Sequence, residues 1–456
     1  MLLGLDSRYL LLVFCKKALD TFVTSGKLDT QMKIAIIGAG FTGLSAAYQL
    51  AKQGHDVTVF EKDSQPGGLA IGYQEKGWDW TLEAFYHHWF TNDKAILDLA
   101  KELDFPVLIK RPRTAHLVDG KILQLDSPTT LLRFQKLSMR ERLQMAFALV
   151  PLRFNPFWKP LERITATAYL KKTIGEKAYK ILWEPLLVGK FGKYADTVSL
   201  AWFWGRFAKR TTNLAYPEGG FLRFAQCLAD ATKKKGGKLY YNTEIIALSS
   251  QGEPQITFKR NNAQKKTEKY DKVIVTLPSF AFLKLVPNLP EAYKKSLMQL
   301  KGLGAVVVIM RLSKPFFTDN TYWLSVCDTK APLLAIVEHT NFMKSKHYHN
   351  EHLVYMGHYL PPDHPYFHMS EEELLKIFDP FLKTLNPTYK KSLLGLKKFA
   401  VPFAQPIIPI NYSKMIPPFE TPLPNVYLAN MQQVYPWDRG TTYAVELGEK
   451  VAKLVE

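Results

Sequence analysis

Residues 33–68, KIAIIGAGFTGLSAAYQLAKQGHDVTVFEKDSQPGG, constrain the fold more than any other stretch of the chain. KIAII is a continuous apolar run, as a parallel strand buried on both faces requires. It leads directly into Gly38, Gly40 and Gly43, in G-x-G-x-x-G spacing. LSAAYQLAKQG then predicts a helix with Leu44, Ala47, Leu50 and Ala51 on one face, and DVTVF predicts a second strand ending at Glu61. In such a unit the first glycine permits a tight turn, the second lets a pyrophosphate approach the backbone, and the third lets helix and strand pack closely. The helix N-terminus offers unpaired N–H groups and a partial positive charge to phosphates. Glu61, 23 residues after Gly38, is spaced to accept hydrogen bonds from a ribose diol. Strand, glycines, helix, strand and acid in this order predict a dinucleotide site.

The acid alone suits a nicotinamide or a flavin dinucleotide. Gly67 and Gly68 tip the balance, because they let the chain turn back under a bound dinucleotide with its backbone close to the phosphates. The whole signature resembles that of the FAD-dependent amine oxidase superfamily, which includes protoporphyrinogen oxidase, phytoene desaturase and, more distantly, UDP-galactopyranose mutase. Leu69 departs from the Arg that many members carry there. The resemblance continues in islands. YPEGGFLRF, from Tyr216, looks like the superfamily's P-x-G-G helix, followed by a strand around Ile245 that would return beside the adenine. YDKVIVTLP, residues 270–278, resembles the next strand. In NVYLANMQQVYPWDRGTTYAVELGEKVAKLV, a strand Val426–Ala429 precedes a helix whose N-terminus, at Gly440, Thr441 and Thr442, would face the flavin. Asn430 stands near the family's usual Gly-Asp, as a candidate cofactor contact.

The resemblance implies an α/β fold: a Rossmann-like FAD-binding domain of the two-dinucleotide-binding type with an interleaved α+β substrate domain. The FAD-binding domain takes 32–110, 211–280 and 400–456. The substrate domain, with a helical insert, takes 111–210 and 281–399. Ahead of them, residues 1–31 read as a dispensable extension, with a short membrane-facing helix as the alternative. The implied activity is FAD-dependent transfer of a hydride from a C–N or C–C bond of an apolar or amphipathic substrate, with oxygen or a quinone as acceptor. FAD would be non-covalent, since the last cysteine, Cys327, lies far from the C-terminal position of monoamine oxidase's tether. Two other readings stay open: a non-redox flavoenzyme of the UDP-galactopyranose mutase type acting on a nucleotide sugar, and an FAD-fold binding or escort protein without catalysis.

GWDWTLEAFYHHWF, residues 77–90, occupies the position where relatives place a segment near the flavin, making Glu83, Tyr86, His87 and His88 candidates for contact with flavin or substrate. His87 and His88, with Tyr435 and Trp437 before the C-terminal helix, are the candidate catalytic or pocket-wall residues. Seven of the 11 histidines fall between His339 and His368. Without HExxH or CxxC they read as a loop, and no metal site is expected.

Charge is concentrated. Residues 151–240 hold 17 Lys and Arg against 6 Asp and Glu, in a chain of formal net charge +19. Ser138 and Glu141 form a capping-box pattern ahead of MAFALVPL, and RFNPFWKPLER, ILWEPLLVGKF and LAWFWGRFAKR mix aromatics with cations. That mixture suits a bilayer interface, so peripheral membrane contact through 140–207 and a lid over the substrate are both expected. No stretch is long enough to span a bilayer and no nucleic-acid motif is present. Three dispersed cysteines, Cys15, Cys227 and Cys327, suit a reducing compartment, hence a cytoplasmic protein, peripheral on the membrane at most.

Overall fold

Five strands pair in parallel in the order Lys238–Tyr240, Asp56–Phe60, Lys33–Ile37, Lys272–Val275 and Val426–Leu428. The computed structural model describes residues 31–261 and 263–456. The readings made for the N-terminal extension, and Cys15 with them, lie outside the described residues. Lys33–Ile37 sits at the centre of the sheet, with Ile36 opposite Val59 on one side and Ile274 on the other. Both faces are covered, so Ile34, Ala35 and Ile36 lose all solvent contact, which is why the run is apolar without alternation. On one side pack the helices Phe41–Lys52, Phe221–Lys234 and Thr441–Val455, the last tied to the first by Ser45 Oγ donating to Val445 O at 3.1 Å.

The expected return strand divides into two. Lys238–Tyr240 completes the parallel sheet, and Glu61 N–H donates to Tyr240 O at 2.8 Å. The chain then reverses at Asn242, φ +51°, and Thr243–Ser250 enters a separate antiparallel sheet with Pro254–Arg260 and Lys266–Lys269. Ile245 belongs to that second sheet. Thr243 N–H donating to Glu61 O at 2.8 Å still holds it beside the acid.

A seven-stranded sheet, in the order Leu393–Pro406, Gly302–Leu312, His352–Leu360, Ala335–Glu338, Thr321–Val326, Arg113–Val118 and Lys121–Gln124, is antiparallel except between Thr321–Val326 and Arg113–Val118. AVVVIMRL lies in the strand Gly302–Leu312, buried from Leu303 through Met310 by strands on both sides. Helix Glu371–Leu385, started by a Ser370–Glu373 capping box, lays Leu374, Phe378 and Leu382 on this sheet. The histidine-rich segment is less of a loop than expected. His352 and His358 stand on a strand, His347 stacks on Trp80 with ring centroids 3.9 Å apart, and His339 Nε2 meets Tyr348 OH at 2.8 Å.

Between the strands Lys121–Gln124 and Leu214–Pro217 the chain is helical. Met139–Phe154 opens with the Ser138–Glu141 capping box, and Ala166–Ile174, Glu184–Phe191 and Leu200–Ala208 follow. Leu200–Ala208 is buried from Leu200 to Gly205. Its Trp204 stacks on Trp437 at 5.1 Å, which brings Arg206, Lys209 and Arg210 to the start of the C-terminal helix. Among the described residues no helix is long and apolar enough to cross a membrane.

Candidate active site

The sheet ends, the C-terminal helix and the helical segment enclose a cavity of about 790 Å³. One part of its wall is made of backbone. Gly38 turns with φ +105°, and a Cβ on Gly43 would lie 2.0 Å from Gly38 O, so only glycine lets helix Phe41–Lys52 start this close to the first strand. Gly67 N–H donates to Ala39 O at 3.0 Å, and Gly68, φ +59°, comes so near that its Cβ would lie 3.0 Å from Gly40 Cα. The two glycine turns therefore interlock, leaving a cradle that side chains would fill. Helices Phe41–Lys52 and Thr441–Val455 both begin at a glycine, Gly40 and Gly440, that supplies no capping side chain. Their first N–H groups suit an anionic or electron-rich ligand.

Glu61 is buried beneath this cradle, accepting from Ala39 N–H at 2.7 Å and Asp63 N–H at 2.9 Å. Burial raises its pKa, while those two N–H groups act to hold the charge. Each carboxylate oxygen keeps a lone pair for a diol. An extended cavity, a phosphate cradle and a buried acid at its edge fit a dinucleotide.

The other part of the wall is made of side chains. Asp438, on the loop before the C-terminal helix, accepts from Lys190 Nζ at 3.0 Å, Arg206 Nη1 at 2.8 Å and Trp202 Nε1 at 3.0 Å. Arg439 donates through Nε to Gln405 Oε1 at 3.1 Å and through Nη2 to Tyr359 OH. Burial pushes against the Asp438 charge, but Lys190, Arg206 and Arg439 outweigh it and hold the carboxyl well below its usual range. Burial, with Arg206 beside it, presses Lys190 well below the ordinary lysine value. None of Lys190, Arg206, Arg210, Tyr359, Asp438 or Arg439 is singled out by sequence pattern. The mixed cations and aromatics of LAWFWGRFAKR and the WDRG ahead of the C-terminal helix were visible, but not that their charges turn inward.

Gly38, Gly40, Glu61, Gly67, Gly68, Ile245, Asn430, Gly440, Thr441 and Thr442 all line the cavity, together with Tyr86, His87 and His88. Gly43 does not; it is spent on helix–strand packing. The Asn430 side chain is committed within its loop. Its Oδ1 accepts from Gln432 N–H at 3.0 Å, and Nδ2 donates to Leu277 O at 3.1 Å and Ser279 Oγ at 3.3 Å. The Thr441 and Thr442 hydroxyls accept from Trp89 Nε1 at 2.8 Å and Ile96 N–H at 3.3 Å, tying the helix start to the aromatic segment. His87 Nδ1 donates to Phe85 O at 2.5 Å, which leaves Nε2 as the acceptor. Burial, then Arg439, lowers its pKa to about 4, so the ring is neutral at pH 7. His88 Nδ1 lies 3.1 Å from Tyr322 OH, and burial, then Arg210, lowers it to about 3.

Besides Gly43, three residues flagged from sequence stand outside the wall. Glu83 is fully buried, taking Tyr216 OH at 2.9 Å and Phe221 N–H at 2.8 Å, and so caps helix Phe221–Lys234. Tyr435 reaches the other way, donating to Glu162 Oε2 at 3.2 Å. Trp437 is held between Trp204 and Tyr443, at 5.1 and 6.0 Å, with Lys209 4.7 Å from its ring. The helical segment draws both aromatics away from the cavity.

Comparison with known proteins bears on the fold and the family. The coproporphyrinogen III oxidase of Staphylococcus aureus (strain NCTC 8325 / PS 47) is 26% identical over 293 residues, 55% of this chain and 61% of the relative's length. The match thus spans less than two thirds of that relative. An oxidoreductase from Methanosarcina mazei has a similar fold, with TM-score 0.70 and 20% identity over 92% of this chain and 100% of that one. Reduced UDP-galactopyranose mutase does too, with TM-score 0.73 and 16% identity over 93% and 96%. Residues 41–455, nearly the whole described chain, match the flavin containing amine oxidoreductases, and the protein belongs to that family.

Proposed function

We propose that the protein is an FAD-dependent oxidoreductase that removes a hydride from a C–N or C–C bond of an apolar or amphipathic substrate. The observation that carries this reading is the pair of interlocked glycine turns over buried Glu61 in the large cavity. Glu61 would hold the ribose and the N–H groups at Gly40 the pyrophosphate. FAD, when bound, supplies the two-electron acceptor, with oxygen or a quinone taking the electrons onward. The start of helix Thr441–Val455 presents N–H donors and a partial positive charge to negative charge developing beside it. His87, neutral and with Nε2 free of protein partners among the described residues, orients substrate by accepting a hydrogen bond; its low pKa makes it a poor proton acceptor at pH 7. Cys227 and Cys327 do not line the cavity, in keeping with non-covalent binding.

A second reading, rearrangement of a nucleotide sugar, draws on the cationic wall, which suits a diphosphate. Anaerobic mixing of the flavin-loaded protein with candidate substrates separates the two. Bleaching of the visible band by an amine or an alicyclic C–H donor is expected; turnover of UDP-galactopyranose only after the flavin has been reduced with dithionite would replace the first reading by the second.

The same protein works at a membrane surface. Helix Met139–Phe154 buries Met145, Ala148, Leu149 and Leu152 on one face and leaves Leu143, Phe147, Val150 and Phe154 exposed on another. Phe147, Phe154 and the nearby Phe157 keep 78%, 79% and 74% of their surface, an unusual investment of aromatic area in water. Arg133, Arg140, Lys159 and Arg163 on the same segment are exposed too, so the matching occupant is an anionic bilayer.

A further inference from the structure

We infer that the substrate carries an anionic group, a carboxylate or a phosphate, and that Arg210 is the residue that receives it. The inference deepens the proposed reading of the cavity and rests on it. Three guanidinium groups, Arg206, Arg210 and Arg439, line the cavity around a single carboxylate, Asp438. Even with Lys190 neutral, positive charge is in excess there. Arg206 and Arg439 have protein partners in Asp438, Gln405 and Tyr359. The Arg210 side chain makes no hydrogen bond or ion pair among the described residues; only its backbone does, its carbonyl accepting from Arg153 at 2.7 Å and its N–H donating to Phe207 O at 3.4 Å.

Arg210 keeps a large accessible surface, yet protein surrounds it closely enough that burial, then Arg206, lowers its pKa to about 10. The two facts agree if its accessible surface is cavity wall, and Arg210 is part of that wall. A guanidinium that faces a cavity without a protein partner keeps its donors open to a ligand, and an anion with a planar fork of acceptors matches them. Trp323, Leu334, Phe280 and Phe403 line the same cavity, so the complementary ligand is amphipathic: an apolar body with an acidic group. Arg210 would then set specificity by positioning the substrate, without touching the bond that breaks.

The test is calorimetric titration of the flavin-loaded protein with phenylbutyrate, phenylbutyl phosphate, phenylbutanol and phenylbutylamine, repeated on Arg210→Ala and Arg210→Lys. At least one acidic probe is expected to bind tenfold or more tighter than the alcohol, and the amine weakest. Whichever acidic probe wins assigns carboxylate or phosphate. Arg210→Ala should abolish the preference with flavin content unchanged, and Arg210→Lys should restore part of it. Equal binding of acid and alcohol, or a preference that survives Arg210→Ala, would overturn the inference; so would flavin loss in Arg210→Ala, which would make the residue a cofactor anchor. A protein that takes up no FAD would defeat the oxidoreductase reading alone, because the acid-over-alcohol preference can be titrated without it.

Discussion

The two parts of the cavity wall are built on different principles. The glycine-lined part is backbone: two turns, two helix starts and one acid, most of it from residues 38–68. The charged part is side chain, assembled from Lys190, Arg206, Arg210, Tyr359, Asp438 and Arg439. In the first, room and direction come from missing Cβ atoms, so the sequence must show glycines at fixed spacing. In the second, two cations, Lys190 and Arg206, share one carboxylate with Arg439 beside them, and nothing in local spacing records which charges will meet.

The difference predicts different ways of failing. The largest effect is expected at Gly43. Its replacement by Ala sets a Cβ against the Gly38 carbonyl, where no side chain can give way, and Gly43→Ala should yield no soluble, flavin-containing protein. A soluble, yellow Gly43→Ala protein would mean that the turn can relax.

Next comes Asp438. Asp438→Ala strands buried cations and should cost about 3–5 kcal/mol in urea unfolding, while Asp438→Asn, which still accepts from Trp202, should cost less. A loss under about 1 kcal/mol, the scale of an exposed pair, would show the cluster to be solvated.

Glu83, which belongs to neither part, supplies a pH test. Burial raises its pKa to about 7, with Phe221 N–H and Tyr216 OH opposing the shift. The folded value lies above the unfolded one, so its contribution to stability is full below about pH 4.5 and is lost as pH rises through about 7. Over that window it amounts to roughly 3 kcal/mol. Asp93, raised to about 6 by burial, acts in the same direction, so the wild-type slope minus that of Glu83→Gln isolates Glu83. Identical slopes would remove Glu83 from the account. The smallest effect is at the surface. Phe147→Glu with Phe154→Glu should leave stability within about 0.5 kcal/mol but release the protein from phosphatidylserine vesicles in a flotation assay. Undiminished flotation would exclude this face as the contact.

Legibility in the sequence follows the same division. Four of the five parallel strands, the glycine turns and the helices Phe41–Lys52, Phe221–Lys234 and Thr441–Val455 were readable, since each carries its reason within a few residues. The split at Asn242 was not, because Ile245 is led to the cavity by a hydrogen bond from Thr243 to Glu61 that spacing cannot show. Tyr435 and Trp437 adjoin the C-terminal helix in sequence but are taken up by Glu162 and Trp204 from the helical segment. Asn430 was legible as a residue at the strand end, and its commitment to Leu277 and Ser279 was not.

The most direct measurement is the visible absorption spectrum of the purified protein, taken again on the supernatant after denaturation. A flavin spectrum that passes into the supernatant is the predicted result of the proposal that the backbone cradle holds FAD without a covalent bond. A colourless protein that stays colourless after incubation with FAD would contradict the account, since the interlocked glycine turns would then have to serve some other ligand.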